Sequence, residues 1–173
     1  MDIRQVARCL FCAVFLAAFT GCATDRNDGN GGAASPEQSQ TCISYGPVRV
    51  DIVPVTAFRD EGEPQAIKVY VRAMDRFGSR IKAPIVFRFE LYERAVHSTD
   101  PKGLRLAVWP DFDLIEAAAN NDHWRDFLRA YEFELEYQPV VGRDYVLQTT
   151  CLTAGGRRLT AEFVLGTYGG PQR

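Results

Sequence analysis

The sequence predicts a mainly β protein: a single antiparallel β-sandwich of about seven strands with one short helical insert. Apolar and polar residues alternate with period two in segment after segment beyond residue 42, the mark of half-buried strands. Turn-forming residues interrupt these segments at intervals of about 8–15 positions. One stretch, 121–131, changes to helical spacing.

Val48, Val50 and Ile52 alternate with Arg49 and Asp51. Pro54 then marks an edge or a bulge, because it lacks the N–H that a ladder needs. Ile67, Val69, Val71 and Ala73 alternate with Lys68, Tyr70, Arg72 and Met74, and Asp75-Arg76-Phe77-Gly78 turns the chain. Ile85, Phe87, Phe89 and Leu91 supply the next inward face, followed by a turn at Asp100-Pro101-Lys102-Gly103 and a shorter strand from Leu104 to Trp109. Asn121 as a cap, with Trp124, Phe127, Leu128 and Tyr131 at i, i+3, i+4 and i+7, predicts the short helix. Period two resumes in Tyr131, Phe133, Leu135 and Tyr137, then in Tyr145, Leu147, Thr149 and Cys151. Gly155-Gly156 leads into Leu159, Ala161, Phe163 and Leu165, after which the chain reads as loose, with the domain placed at 42–167 and a tail at 168–173.

The stretch Gly142-Arg143-Asp144-Tyr145-Val146-Leu147 resembles the corner before a late strand in immunoglobulin-like and fibronectin type III domains. That resemblance implies that the Tyr145 hydroxyl bonds back to the backbone. The Cys…Trp…Cys spacing of antibody domains is missing, and a transthyretin-like sandwich fits the same pattern, so both topologies stay open.

Arg4 and Arg8 precede an apolar run, Cys9 to Phe19, of eleven residues. Signal-peptide cores run about 7–15 residues, whereas a spanning helix needs about 20. The run ends in Phe19-Thr20-Gly21-Cys22, which resembles the lipobox of bacterial lipoproteins, with Phe19 where that family usually has Leu. The resemblance covers residues 1–22. It implies that 1–21 are removed as a signal peptide and that Cys22 is lipidated on its thiol and amine, anchoring the protein to a membrane of the cell envelope. Ala23 in place of Asp after the cysteine favours the outer membrane, facing the periplasm. Residues 22–41, rich in Gly, Asn, Ser and Gln, would be a flexible tether with a reach of about 20–25 Å. On this reading Cys9 and Cys12 leave with the signal, which makes Cys42 and Cys151 the remaining pair for a disulfide in an oxidising compartment.

The formal net charge of −2, with no basic stripe, argues against a general nucleic-acid binder and against electrostatic adhesion to anionic lipid. His97-Ser98-Thr99-Asp100 places triad residue types side by side, but a triad needs them to converge from separate elements, so no catalytic residues are expected. Asp111, Asp113 and Asp122 are too few for calcium, which wants six to eight oxygens, and no metal or cofactor is expected. Glu132, Glu134 and Glu136 share one strand face and read as solvent-facing, and Gly155-Gly156-Arg157-Arg158 reads as a hairpin with basic flanks. Trp109, Phe112, Trp124 and Tyr131 are the possible binding surface, or else the small core that fastens the insert. The expected function is a lipid-anchored, non-enzymatic domain that binds or scaffolds an envelope protein, through the first-strand edge near Pro54 or the aromatic insert. The alternative is a carbohydrate or cell-wall glycan module stacking sugars on Trp109, Trp124 or Tyr131.

Overall fold

The computed structural model describes residues 45–59 and 64–169. Cys22, Cys42, the signal segment, the tether and the end of the tail lie outside the described residues. The elements are β1 (Arg49–Ile52), β2 (Ala57–Phe58), β3 (Ala66–Met74), β4 (Ile85–Arg94), β5 (Lys102–Val108), β6 (Phe112–Leu114), α1 (Ala117–His123), β7 (Trp124–Arg125), β8 (Ala130–Glu136), β9 (Asp144–Thr153) and β10 (Arg158–Thr167).

They form two antiparallel sheets packed face to face. One has the order β1-β3-β8-β7, with β2 also on β3; the other has β10-β9-β4-β5, with β6 also on β4. This is the A-B-E-D and G-F-C arrangement of an immunoglobulin-type sandwich, with β5 added beyond the C position. Six of the seven longer strands are those the period-two alternation marks, and β5 answers to the shorter strand expected from Leu104 to Trp109. The three extra strands, β2, β6 and β7, have two or three residues each, too short to show a period.

The inner faces hold Ile67, Val69, Val71, Phe87, Phe89, Leu91, Phe133, Leu135 and Leu147, nearly all fully buried. Aromatic rings fill the centre: Phe89 and Phe133 lie 4.8 Å apart, Phe87 and Phe133 5.0 Å, both tilted, as the ring quadrupole prefers. Tyr70 and Met74, on the outward side of β3, are buried as well. Val53, Leu128 and Ala130 pack around Tyr70 in a second, smaller cluster.

Two expectations need correction. The helix is Ala117–His123, so Asn121 lies inside it and does not cap it, and it ends before the spaced apolar residues Trp124 to Tyr131. Trp124 and Tyr131 instead face each other across the β7–β8 hairpin, so their separation of seven comes from a tight turn. Arg129 closes that turn at φ 49°, and its N–H donates to the Asp126 carbonyl at 3.2 Å. The end of the domain is also tighter than a loose tail: β10 runs to Thr167, and Tyr168 is buried, its ring edge-on to Phe58 at 5.1 Å. Cys151 is fully buried on β9, with no disulfide among the described residues, and Cys42, its expected partner, lies outside them.

The Tyr145 corner is present. The Tyr145 hydroxyl accepts the Val140 N–H at 2.7 Å, while its ring is fully buried against Phe58 and Tyr137.

Candidate functional site

The structure separates the four aromatic candidates. Tyr131 is fully buried and Trp124 is 8% exposed, their rings 5.1 Å apart edge to face. Phe112 is half-buried against Phe89 and Phe133, at 5.8 and 5.1 Å. Only Trp109 stands apart. It is half-buried, edge-on to Tyr137 at 6.4 Å, and its indole N–H donates to the Glu136 carbonyl at 3.0 Å. Tyr131, Trp124 and Phe112 thus fasten the irregular middle onto the sandwich, and a sugar-stacking platform would have Trp109 alone.

Around Tyr131 is a polar knot that sequence reasoning missed. Its hydroxyl accepts the Ala83 N–H at 2.8 Å and lies 3.1 Å from both the Ala83 carbonyl and Asn120 Oδ1. Asn120 Nδ2 donates to the carbonyls of Ala83 and Leu114, both at 2.8 Å. One asparagine and one tyrosine therefore satisfy the backbone of the β3–β4 connection and the end of β6, while pinning α1. Burial raises the Tyr131 hydroxyl pKa, so it stays a neutral donor and acceptor. The only hint in the sequence is Asn120 following three alanines in a helix that has no side-chain cap.

The charged candidates are absorbed by pairs. Arg88 grips Asp111 in a fork, 2.7 and 2.8 Å, which holds that carboxyl below its ordinary range. Asp113 accepts the Ile115 N–H at 3.0 Å. Glu132 meets Lys68 at 3.5 Å and Arg125 at 2.9 Å, and Glu134 meets Arg59, so two of the three glutamates of β8 are matched by cations. Among the described residues no group of three or more His, Cys, Asp or Glu side chains is placed to hold a metal ion.

The chain matches no family model, no curated protein and no solved structure. Its own geometry is therefore the ground for a functional reading. Of the sheet edges, the one near Pro54 is interrupted: β1 and β2 both pair with β3, and a turn at Pro54-Val55 parts them. Such a break blunts an edge against strand addition. β5 is different. It is a free edge of the second sheet, seven residues long and mostly exposed, with Leu104 70% and Val108 49% accessible. Its ladder to β4 has two register shifts, which spoil it as a template for an added strand and leave side-chain contact as its mode of recognition. Behind it, Lys102 donates to Gln148 Oε1 at 2.8 Å and meets Glu162 at 2.5 Å, while Arg105 meets Glu90 at 3.1 Å. These bonds hold the polar surroundings of the edge in place.

Proposed function

We propose that the protein is a lipid-anchored envelope protein, outer-membrane and periplasm-facing, whose sandwich binds a protein partner without catalysing a reaction. The anchor reading rests on Phe19-Thr20-Gly21-Cys22 and the apolar run before it. The binding reading is supported by the free β5 edge, where Leu104 and Val108 are exposed beside paired, ordered charges. Apolar side chains within a polar rim are the anatomy of a protein contact.

In-cell cross-linking from a photoreactive residue at position 104, followed by mass spectrometry, tests the partner. A single reproducible envelope protein is expected, and it should disappear when Val108 is changed to Lys. Cross-links unaffected by Val108→Lys, or none at all, would remove β5 as the contact.

A further inference from the structure

The three most exposed large hydrophobic residues among those described are Phe127 at 80%, Phe77 at 78% and Tyr45 at 72%. They come from three separate connections, yet all belong to one end of the sandwich. Arg49 pairs with Met74, so β1 begins where β3 ends, and Phe77 follows in the next turn. Val71 pairs with Tyr131, which puts the β7–β8 hairpin and its tip, Phe127, beyond the same end of β3. Ile85 pairs with Thr153, which adds the β9–β10 turn with Arg157. Two clefts tie these connections together. One, of about 430 Å³, runs between Tyr45, Lys82 and Arg157; the other, of about 500 Å³, is lined by Arg80, Lys82, Trp124 and Arg129.

Cations sort in the same way. Apart from Arg49–Asp51 at the start of β1 and Arg125–Glu132 in the β7–β8 hairpin, the ion pairs among the described residues lie on the sheet faces or at the other end, where Arg94 meets Asp144 and Arg143 meets Glu93. Arg76, Arg80, Lys82, Arg129 and Arg157 make no ion pair among the described residues. Arg72 and Arg158, at the strand ends beside them, are likewise without one, and Arg72 Nε is buried with no hydrogen bond.. The nearby carboxylates are fewer than these cations. Asp75 accepts the Phe77 and Ser79 amides at 2.8 Å, Asp126 accepts the Trp124 indole at 2.8 Å, Glu116 precedes α1 and Asp122 lies in its last turn. Exposed aromatic rings among unpaired arginines are the composition of a surface that meets anionic lipid. It is also the end at which the chain from the proposed anchor joins the domain, since Tyr45 leads directly into β1.

We infer that this end is a membrane-apposing face: Phe77 and Phe127 enter a lipid layer, and the unpaired arginines bind the phosphates of its headgroups. The near-neutral net charge conceals the face: here Asp75, Glu116, Asp122 and Asp126 stand against Arg72, Arg76, Arg80, Lys82, Arg129, Arg157 and Arg158, an excess of cations. The inference builds on the anchor reading for its biological setting, but the face binds lipid by itself. Each basic residue near an anionic surface is worth about fivefold in affinity.

The test uses the full chain carrying Cys22→Ser, which has no lipid attachment, with sedimented vesicles of phosphatidylcholine alone or mixed with phosphatidylglycerol. Binding is expected on the mixed vesicles only, weakening with salt. Arg76→Glu with Arg80→Glu, and separately Phe77→Ser with Phe127→Ser, should each reduce it more than tenfold. Val96→Ser with Val141→Ser, exposed valines of the opposite end, should leave it unchanged. No binding by the parent, or binding that survives both face variants and so resides in the N-terminal segment, would overturn the inference, as would equal loss in the valine variant. Failure of the anchor reading shows separately, as a wild-type chain whose Cys22 carries no lipid in intact-mass analysis.

Discussion

Tyr131 and Tyr145 are both fully buried, yet their hydroxyls do different work. Tyr131 satisfies the amide of buried Ala83, whereas Tyr145 serves Val140, which is 52% exposed and within reach of water. Removing the first hydroxyl strands a buried donor, costing about 1–3 kcal/mol, while removing the second forfeits a bond worth about 0.5–1.5 kcal/mol. Tyr131→Phe should therefore lower the urea midpoint more than Tyr145→Phe, at unchanged slope. Cys151 gives a second prediction. Burial pushes its thiol up to about 12, so it is neutral and hidden from reagents at pH 8. Native protein should resist alkylation at this site, and denaturation without reductant should expose one label on Cys151. Labelling only after reduction would instead establish the Cys42–Cys151 bond expected from the cysteine count. Asp111 supplies a third. Its carboxyl is held below the ordinary 3.8 chiefly by the Arg88 bond, so what the pair contributes is present above that value and lost as pH falls through the lowered one. An NMR titration should show the Asp111 midpoint rising towards the ordinary value in Arg88→Ala.

At the scale of elements, the alternation of β4 and β8 was legible because each strand has one face on the core and one at least partly open to solvent, whereas β3 and β9 also bury much of their outer faces and kept the alternation in residue type. The corner at Tyr145 was legible from a short resemblance. The insert was not. Trp124, Phe127, Leu128 and Tyr131 fit helical spacing as well as they fit two strands folded on a four-residue turn, and only the tertiary contact between Trp124 and Tyr131 decides between them. The choice left open for the aromatic residues, binding surface or core, needed the structure for a related reason: composition marks them as important without saying which side of the sheet covers them, and three of the four belong to the core. The hairpin offers a direct check. Arg129 is the one non-glycine residue at positive φ among those described, in a region that costs an ordinary residue about 1–2 kcal/mol. Arg129→Gly should therefore raise the thermal midpoint slightly or leave it unchanged, while an Arg129→Val chain should melt lower.

For the whole molecule, the reading joins an anchor, a sandwich and two surfaces that face different ways: β5 along the side and an arginine-rich end. Changing Cys22 to Ser should leave the fold intact by circular dichroism, yet shift the protein from the membrane to the soluble fraction of lysed cells. Retention of that variant in the membrane fraction after a high-salt wash would count against lipid as the anchor. Low salt is uninformative, because the arginine-rich end alone is expected to hold some protein there.

The shortness of β1 carries a mechanical consequence. Any pull from an anchored N-terminus reaches the domain at Arg49, and β1 is held to β3 by four residue pairs, Arg49 with Met74 through Ile52 with Val71. β3, by contrast, is braced on its other side by six pairs to β8, and β4 by nine to β9. Under tension the first strand is the element that yields, lengthening the leash while the aromatic interior and the β5 edge keep their shape.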